Sequence, residues 1–308
     1  MLRDSPRRVT LVVDSDPACG RGHLSRCLLL ATALAAQGSS CRFLLTNPVE
    51  MPGLEIFPSA LLGNSLPETG EMVVVDGYRF TSDFLEQLQR KSPRLVVIDD
   101  LGDRHIPAHV ILNHNIYAET LSYSGSPGCA LFLGPRYGLV RPDFFRLGEP
   151  PCDGGILITL GSGPLAARGC ELASALRRHL PTGIEVVLGA DARLPDHVEE
   201  GVRFHRWADL AGLAENASLV ICGLGVTFLE ILAARRAVIG AQIAPNQALA
   251  YRAAKAAGYA VFERIEPEAI ALTAADALRG QLPLPGNPFQ LDQRGPARAA
   301  AAILGSMH

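Results

Sequence analysis

The sequence predicts an α/β protein of two doubly wound, Rossmann-like domains. Three observations carry this. Short apolar runs rich in Val, Ile and Leu alternate with helical stretches along most of the 308 residues. These runs are apolar throughout rather than in alternate positions, as parallel strands covered on both faces are. The alternation also breaks once, at Arg146–Gly155 (RLGEPPCDGG), where proline and glycine concentrate and no period is visible. Residues 1–147 and 148–308 are therefore the expected domains, sizes that suit separate cores.

In the first domain, strands are expected at Val9–Asp14, Arg42–Leu45, Met72–Asp76, Leu95–Asp99, Val110–Asn113 and Leu131–Leu133. The clearest helices are Leu24–Gln37 and Ser82–Arg90. In the former, Leu24, Cys27, Leu28, Ala31, Leu34 and Ala35 recur at the helical period and form one apolar face. In the second domain, strands are expected at Ile156–Leu160, Glu185–Leu188, Leu219–Cys222 and near Ala237–Ala241. Helices are expected at Leu165–His179, near Asp209–Glu215, at Val226–Arg235 and at Asn246–Ala257. A loop at 282–290 precedes an alanine-rich helix, Ala297–Leu304, a candidate to pack back on the first domain. Two such domains suggest a ligand held in a cleft between them.

Composition narrows the function. The net charge is −3 and no long basic run is present, so nucleic acid has no electrostatic footprint. No apolar run approaches the roughly 18 residues of a membrane span, and the apolar stretch Val9–Val13 is too short for a signal peptide. A cytoplasmic protein is expected. Seven cysteines without a C-x-x-C pair point to reduced thiols, and the eight histidines lack zinc spacing, so no metal or cofactor is expected. A monomer is compatible with the sequence.

Ligands of open parallel sheets meet the carboxyl ends of the strands. Those positions hold Asp14, Asp76 with Tyr78, Asp99 with Asp100, and Asn113 with Asn115. Each alone is an ordinary turn or cap residue; together they suggest a polar site. Beside them, Gly20, Gly22 and His23 lie where a loop enters the first helix. The glycines permit close approach of a ligand, and the helix start favours anions and disfavours imidazolium. His23 is thus placed to accept a proton, with Asp14 as the expected holder of its ring. In the second domain, the backbone of Gly225, Val226 and Thr227 at another helix start suits a diphosphate. Glu230 is a candidate acceptor for ribose hydroxyls, and Asn246 and Gln247 open a further helix at the same edge.

The stretch G-x-G-H-x-x-R-x-x-x-L-A, here Gly20, Gly22, His23, Arg26, Leu30 and Ala31, resembles the family of UDP-2,4-diacetamido-2,4,6-trideoxy-β-L-altropyranose hydrolases of pseudaminic acid biosynthesis. The similarity runs from about Val9 to Phe262. It includes Asp76–Tyr78, Asp99–Asp100, ILNHNIYA, LGPRYGLVRPDF with Tyr137, and the nucleotide-side GVTFLEILAARR and PNQ shared with the wider GT-B group. The resemblance implies a GT-B fold and a UDP-sugar partner. It also implies His23 as base for water attacking the anomeric carbon with inversion, Tyr78 near the sugar–phosphate and Glu230 on the ribose. The chain departs from the pattern at Val12, where arginine is usual, at Pro164, where an acid is usual, and in CGLGVT. The alternatives are a GT-B glycosyltransferase, a hydrolase of another nucleotide sugar, or a silent nucleotide-sugar binder.

Overall fold

A computed structural model describes residues 7–63, 70–161, 168–189, 195, 197–206, 208–281 and 288–305. The chain forms two compact units, one of residues 1–139 with 294–308, the other Val140–Gln293.

In the first unit the strands are β1 (Arg7–Val13), β2 (Ser39–Leu45), β3 (Ser59–Leu61), β4 (Met72–Asp76) and β5 (Arg94–Ile98). They continue with β6 (His105–Ile106), β7 (Val110–Asn113), β8 (Ser124–Gly125) and β9 (Ala130–Leu133), and the helices are α1 (Gly22–Ala36) and α2 (Ser82–Lys91). Seven strands make one parallel sheet in the order β3-β2-β1-β4-β5-β7-β9, while β6 and β8 pair apart from it. The sheet has two apolar faces. Val9, Leu11, Val13, Val74, Val96, Ile98 and Leu112 pack with α1, whereas Val12, Val73, Val75, Leu95, Val97 and Ile111 lie on the α2 side. This parity decides which strand-end residues meet.

The second unit contains β10 (Gly155–Thr159), α3 (Arg168–His179), β11 (Ile184–Val187), β12 (Val202–His205), α4 (Leu210–Glu215) and β13 (Ala217–Gly223). After these come α5 (Val226–Ala233), β14 (Ala237–Ala241), α6 (Ala248–Ala256), β15 (Ala260–Phe262) and α7 (Pro267–Leu278). Its sheet is parallel in the order β12-β11-β10-β13-β14-β15, a doubly wound arrangement. The final helix, α8 (Gly295–Gly305), belongs to the first unit. Its Ala299, Ala300, Ile303 and Leu304 join the core on the α1 side, and Gln37 Nε2 donates to Ala297 O at 3.0 Å. Gly295 is required there, because a Cβ would overlap the Gly138 carbonyl.

Several elements differ from the sequence expectation. β3 is an exposed edge strand, and β12 (VRFH) carries charge on an edge, so neither shows an apolar run. α7 is alanine-rich and lacks a sharp polar face. The expected helix at 246 opens instead as a 3₁₀ turn, Pro245–Gln247, with α6 beginning at Ala248. Residues 165–167 of the expected Leu165–His179 helix, and Pro164, lie outside the described residues. Among the described residues, no helix is long and apolar enough to cross a membrane.

Candidate active site

α1 begins one short loop after β1. Asp16 caps a 3₁₀ turn at Pro17–Cys19 by accepting from Ala18 N at 2.9 Å, and Gly20 at φ +74° redirects the chain into the helix. His23 and Arg26, three residues apart, therefore share the α1 face turned to the sheet. Both are buried.

The ring of His23 is held by Asp76, not Asp14. His23 Nδ1 lies 2.7 Å from Asp76 Oδ1, where the carboxylate accepts the Nδ1–H, and Arg26 Nη2 lies 3.1 Å from the same nitrogen. The expectation that Asp14 fixes this ring is corrected by the sheet's parity. Asp76 follows Val74 on the α1 face, while Asp14 follows Val12 on the other. Asp14 instead accepts from Thr46 Oγ1 at 3.1 Å and Asp16 N at 3.3 Å. Gly77 closes the strand end at φ +151°, where any Cβ would run into Asp14. Among the described residues Nε2 has no hydrogen-bond partner, and the side chain as a whole is about 6% exposed. The Tyr78 ring packs edge-on to His23, with centroids 4.8 Å apart.

Arg26 is the centre of the cluster. Its Nε and Nη2 donate to Asp76 at 2.6 Å each, and Nη1 and Nη2 donate to Asp100 at 2.7 and 3.1 Å. The guanidinium of Arg26, expected to bind substrate, is engaged by two aspartates. Tyr78 OH and Asn115 Nδ2 also donate to Asp100, at 2.6 and 2.7 Å. Burial alone would raise the Asp76 carboxyl, but Arg26 and His23 outweigh it and hold it down to about 2. Asp100 is likewise driven below the ordinary range, because Arg26 overcomes its desolvation. Burial, with Arg26 close by, lowers the His114 imidazole to about 4 and keeps it neutral.

The same parity sorts the other expected residues. Asp100 and His114 share the face of Ile98 and Leu112 and reach Arg26, whereas Asp99 and Asn113 share the face of Val97 and Ile111. Asp99 closes a turn by accepting from Leu101 N and Gly102 N at 2.9 and 2.7 Å. Asn113 donates to Tyr123 OH at 2.8 Å and accepts from Asn115 Nδ2 at 2.8 Å. Asp99 and Asn113, both expected to contact ligand, thus bond within their own loops. The ring of Tyr137, also expected at the ligand, packs in the α1-side core, 5.5 Å from Phe132. Asp100, expected at a strand end, and His114, which was not expected in the site, both join the Arg26 cluster, and counting in twos along each strand is the signal that finds His114.

In the second unit, β13 runs through Gly223 and Leu224 to Gly225, which precedes α5. The amides of Val226 and Thr227 lie in the first turn of that helix, where donors lack an intrahelical acceptor. A side chain at Gly223 would collide with Ile243, so the junction passes beneath that residue. Gln247 fixes it, its Oε1 accepting from Leu224 N at 3.2 Å and Ile243 N at 2.9 Å. Asn246 sits half-buried in the adjoining 3₁₀ turn. Glu230 is buried in α5, and both its oxygens are engaged by Arg141, at 2.6 and 3.1 Å. Burial pushes the Glu230 carboxyl up, and Arg141 opposes that. Arg141, stacked over Phe144 with 4.7 Å to the ring centroid, was not singled out in the sequence. Among the described residues, no group of three His, Cys, Asp or Glu side chains is arranged to hold a metal ion.

No family model and no curated protein matches the chain. Its fold has solved counterparts. MurG of Acinetobacter baumannii superposes with a TM-score of 0.63 at 15% identity, covering 97% of this chain and 100% of that one. CalG4, the calicheamicin glycosyltransferase, gives 0.62 at 17% identity over 98% of each chain. A UDP-glucosyltransferase from Polygonum tinctorium gives 0.65 at 12% identity, covering 98% and 99%. The chain has the GT-B fold of two Rossmann-like units. The hydrolase expected from the motif resemblance is corrected at this point, because these counterparts are glycosyltransferases, a transferase class. A histidine at one helix start and free backbone amides at another would suit an alcohol as well as water, so the motif did not separate the two.

Proposed function

We propose that this protein is a glycosyltransferase that moves a sugar from a UDP-sugar donor to an acceptor hydroxyl. The observation that carries the reading is the His23–Asp76 pair, a histidine whose Nδ1 lies 2.7 Å from an ionised carboxylate while its Nε2 has no hydrogen-bond partner among the described residues. In this reading Nε2 takes the acceptor's proton as its oxygen attacks the anomeric carbon. The bond from that carbon to the diphosphate oxygen breaks, and the configuration inverts. Asp76 fixes the tautomer and stabilises the imidazolium that forms.

The diphosphate is a good leaving group and departs with added negative charge. Amide donors of Gly225, Val226 and Thr227 at the start of α5 suit that charge, and the carboxylate of Glu230 suits the ribose hydroxyls. The UDP donor is supported by this junction and by the UDP-glucosyltransferase that shares the fold.

The test is UDP release from a panel of UDP-sugars, measured chromatographically with and without candidate alcohol acceptors. Acceptor-dependent release, reduced about 10²–10⁴-fold in His23→Ala, is expected. Release that ignores both acceptor and His23 would refute the reading.

A further inference from the structure

The buried cluster ending the first sheet is unbalanced in charge. Asp76 and Asp100 face one guanidinium, that of Arg26, and all three are buried. Tyr78, Asn115 and Cys27 bring only neutral donors, and His114 stays uncharged. Asp14 and Asp99 follow strand positions of the opposite face and bond elsewhere. With His23 neutral, the cluster therefore holds one negative charge in excess. With His23 protonated, it is balanced.

We propose that Asp100 is a positioning residue for proton transfer, one that sets the basicity of His23 through Arg26. Arg26 divides its donors between the two aspartates, with Nη2 reaching both. Without Asp100, the guanidinium would cancel the charge of Asp76, and the attraction of Asp76 for an imidazolium would fall. With Asp100 in place, the excess charge persists until His23 accepts a proton. Tyr78 and Asn115 hold Asp100 in this position. The inference rests on the transferase reading only for the source of that proton, an acceptor hydroxyl.

Asp100→Asn keeps the side-chain shape and leaves the cluster neutral when His23 is neutral, so it suits folding. The measurement is NMR titration of the His23 ring in the whole protein, its signal assigned by its loss in His23→Ala. In D100N the titration is expected to move to lower pH, because the protonated ring loses a stabilising negative charge. The acid limb of the kcat profile moves the same way, and its plateau falls about tenfold with the weaker base. A merely structural role would lower activity or stability without moving either curve.

A titration that stays in place or moves to higher pH in folded D100N would overturn the proposal. If D100N does not fold, Asp100→Ser carries the test. It also removes the charge and leaves a hydroxyl beside Arg26, so the titration is again expected at lower pH, and an unmoved or raised one would overturn the proposal. The ring titration needs no substrate. A shift in a protein that transfers no sugar defeats the transferase reading alone, whereas His23-dependent transfer with an unmoved titration defeats this proposal alone.

Discussion

At the carboxyl edge of the first sheet, Asp76, Asp100 and His114 converge on the guanidinium of Arg26, with His23 alongside. At the same edge of the second sheet, glycines lead into a helix start, and the buried ion pair is Glu230 with Arg141. The two sheets share the same parallel order over six strands, the first adding β9, and differ in what fills the edge. The first fixes ionised side chains and tunes them against one another, which suits moving a proton. The second offers backbone amides and one anchored carboxylate, which suits holding a ligand. In the proposed reading one scaffold supports two tasks, and the residues rather than the fold separate them.

The sharpest way to break this comparison is to remove the centre of the first edge. Arg26→Met leaves two buried carboxylates without their guanidinium. A loss of about 3–5 kcal/mol is expected from urea unfolding, since breaking a buried pair strands its partner. A loss below ~1 kcal/mol would mean that Arg26 does not organise the cluster.

The pH dependence of stability sharpens it further. His114 is lowered from the ordinary 6.5 to about 4 by burial and Arg26, so the unfolded chain takes up a proton before the folded one does. Its contribution is whole above pH 6.5 and is lost as pH falls towards about 4. The Asp76 contribution, whole above the ordinary 3.8, is lost only as pH falls towards about 2. His114→Gln should flatten the stability curve between pH 6.5 and 4 and leave the fall below 3.8 in place. Urea midpoints across pH measure both windows.

The next effect lies in the second unit. Glu230→Gln should raise KM for the donor about tenfold with kcat nearly unchanged, as expected when a group binds ground and transition states alike. A fall in kcat with unchanged KM would give the second unit a share in the chemistry. Gln247→Ala removes the acceptor of two amides and should cost about 1–2 kcal/mol in thermal unfolding. It should also raise the donor KM, because the junction before α5 loses its brace.

Much of the fold was legible because parallel strands buried on both faces appear as uninterrupted apolar runs. β1, β4, β5 and β13 announce themselves in this way. β3, β12 and β15 did not, because they are short and incompletely buried. In the site, His23 stood out at its Gly-rich loop. Its partner did not, because the aspartate that ends the preceding strand run, Asp14, lies on the wrong face. Sheet pairing brings Asp76 beside it instead, with Val13 opposite Asp76 in register. Arg141 was hidden for a related reason, being 89 residues from Glu230.

The most direct test of the account is the stereochemistry of transfer. Proton NMR of the product from an accepted UDP-sugar and an alcohol should show a new glycoside with inverted anomeric configuration, formed by wild type and nearly absent with His23→Ala. A product of retained configuration, or equal turnover by the variant, would contradict His23 as the base of a single displacement.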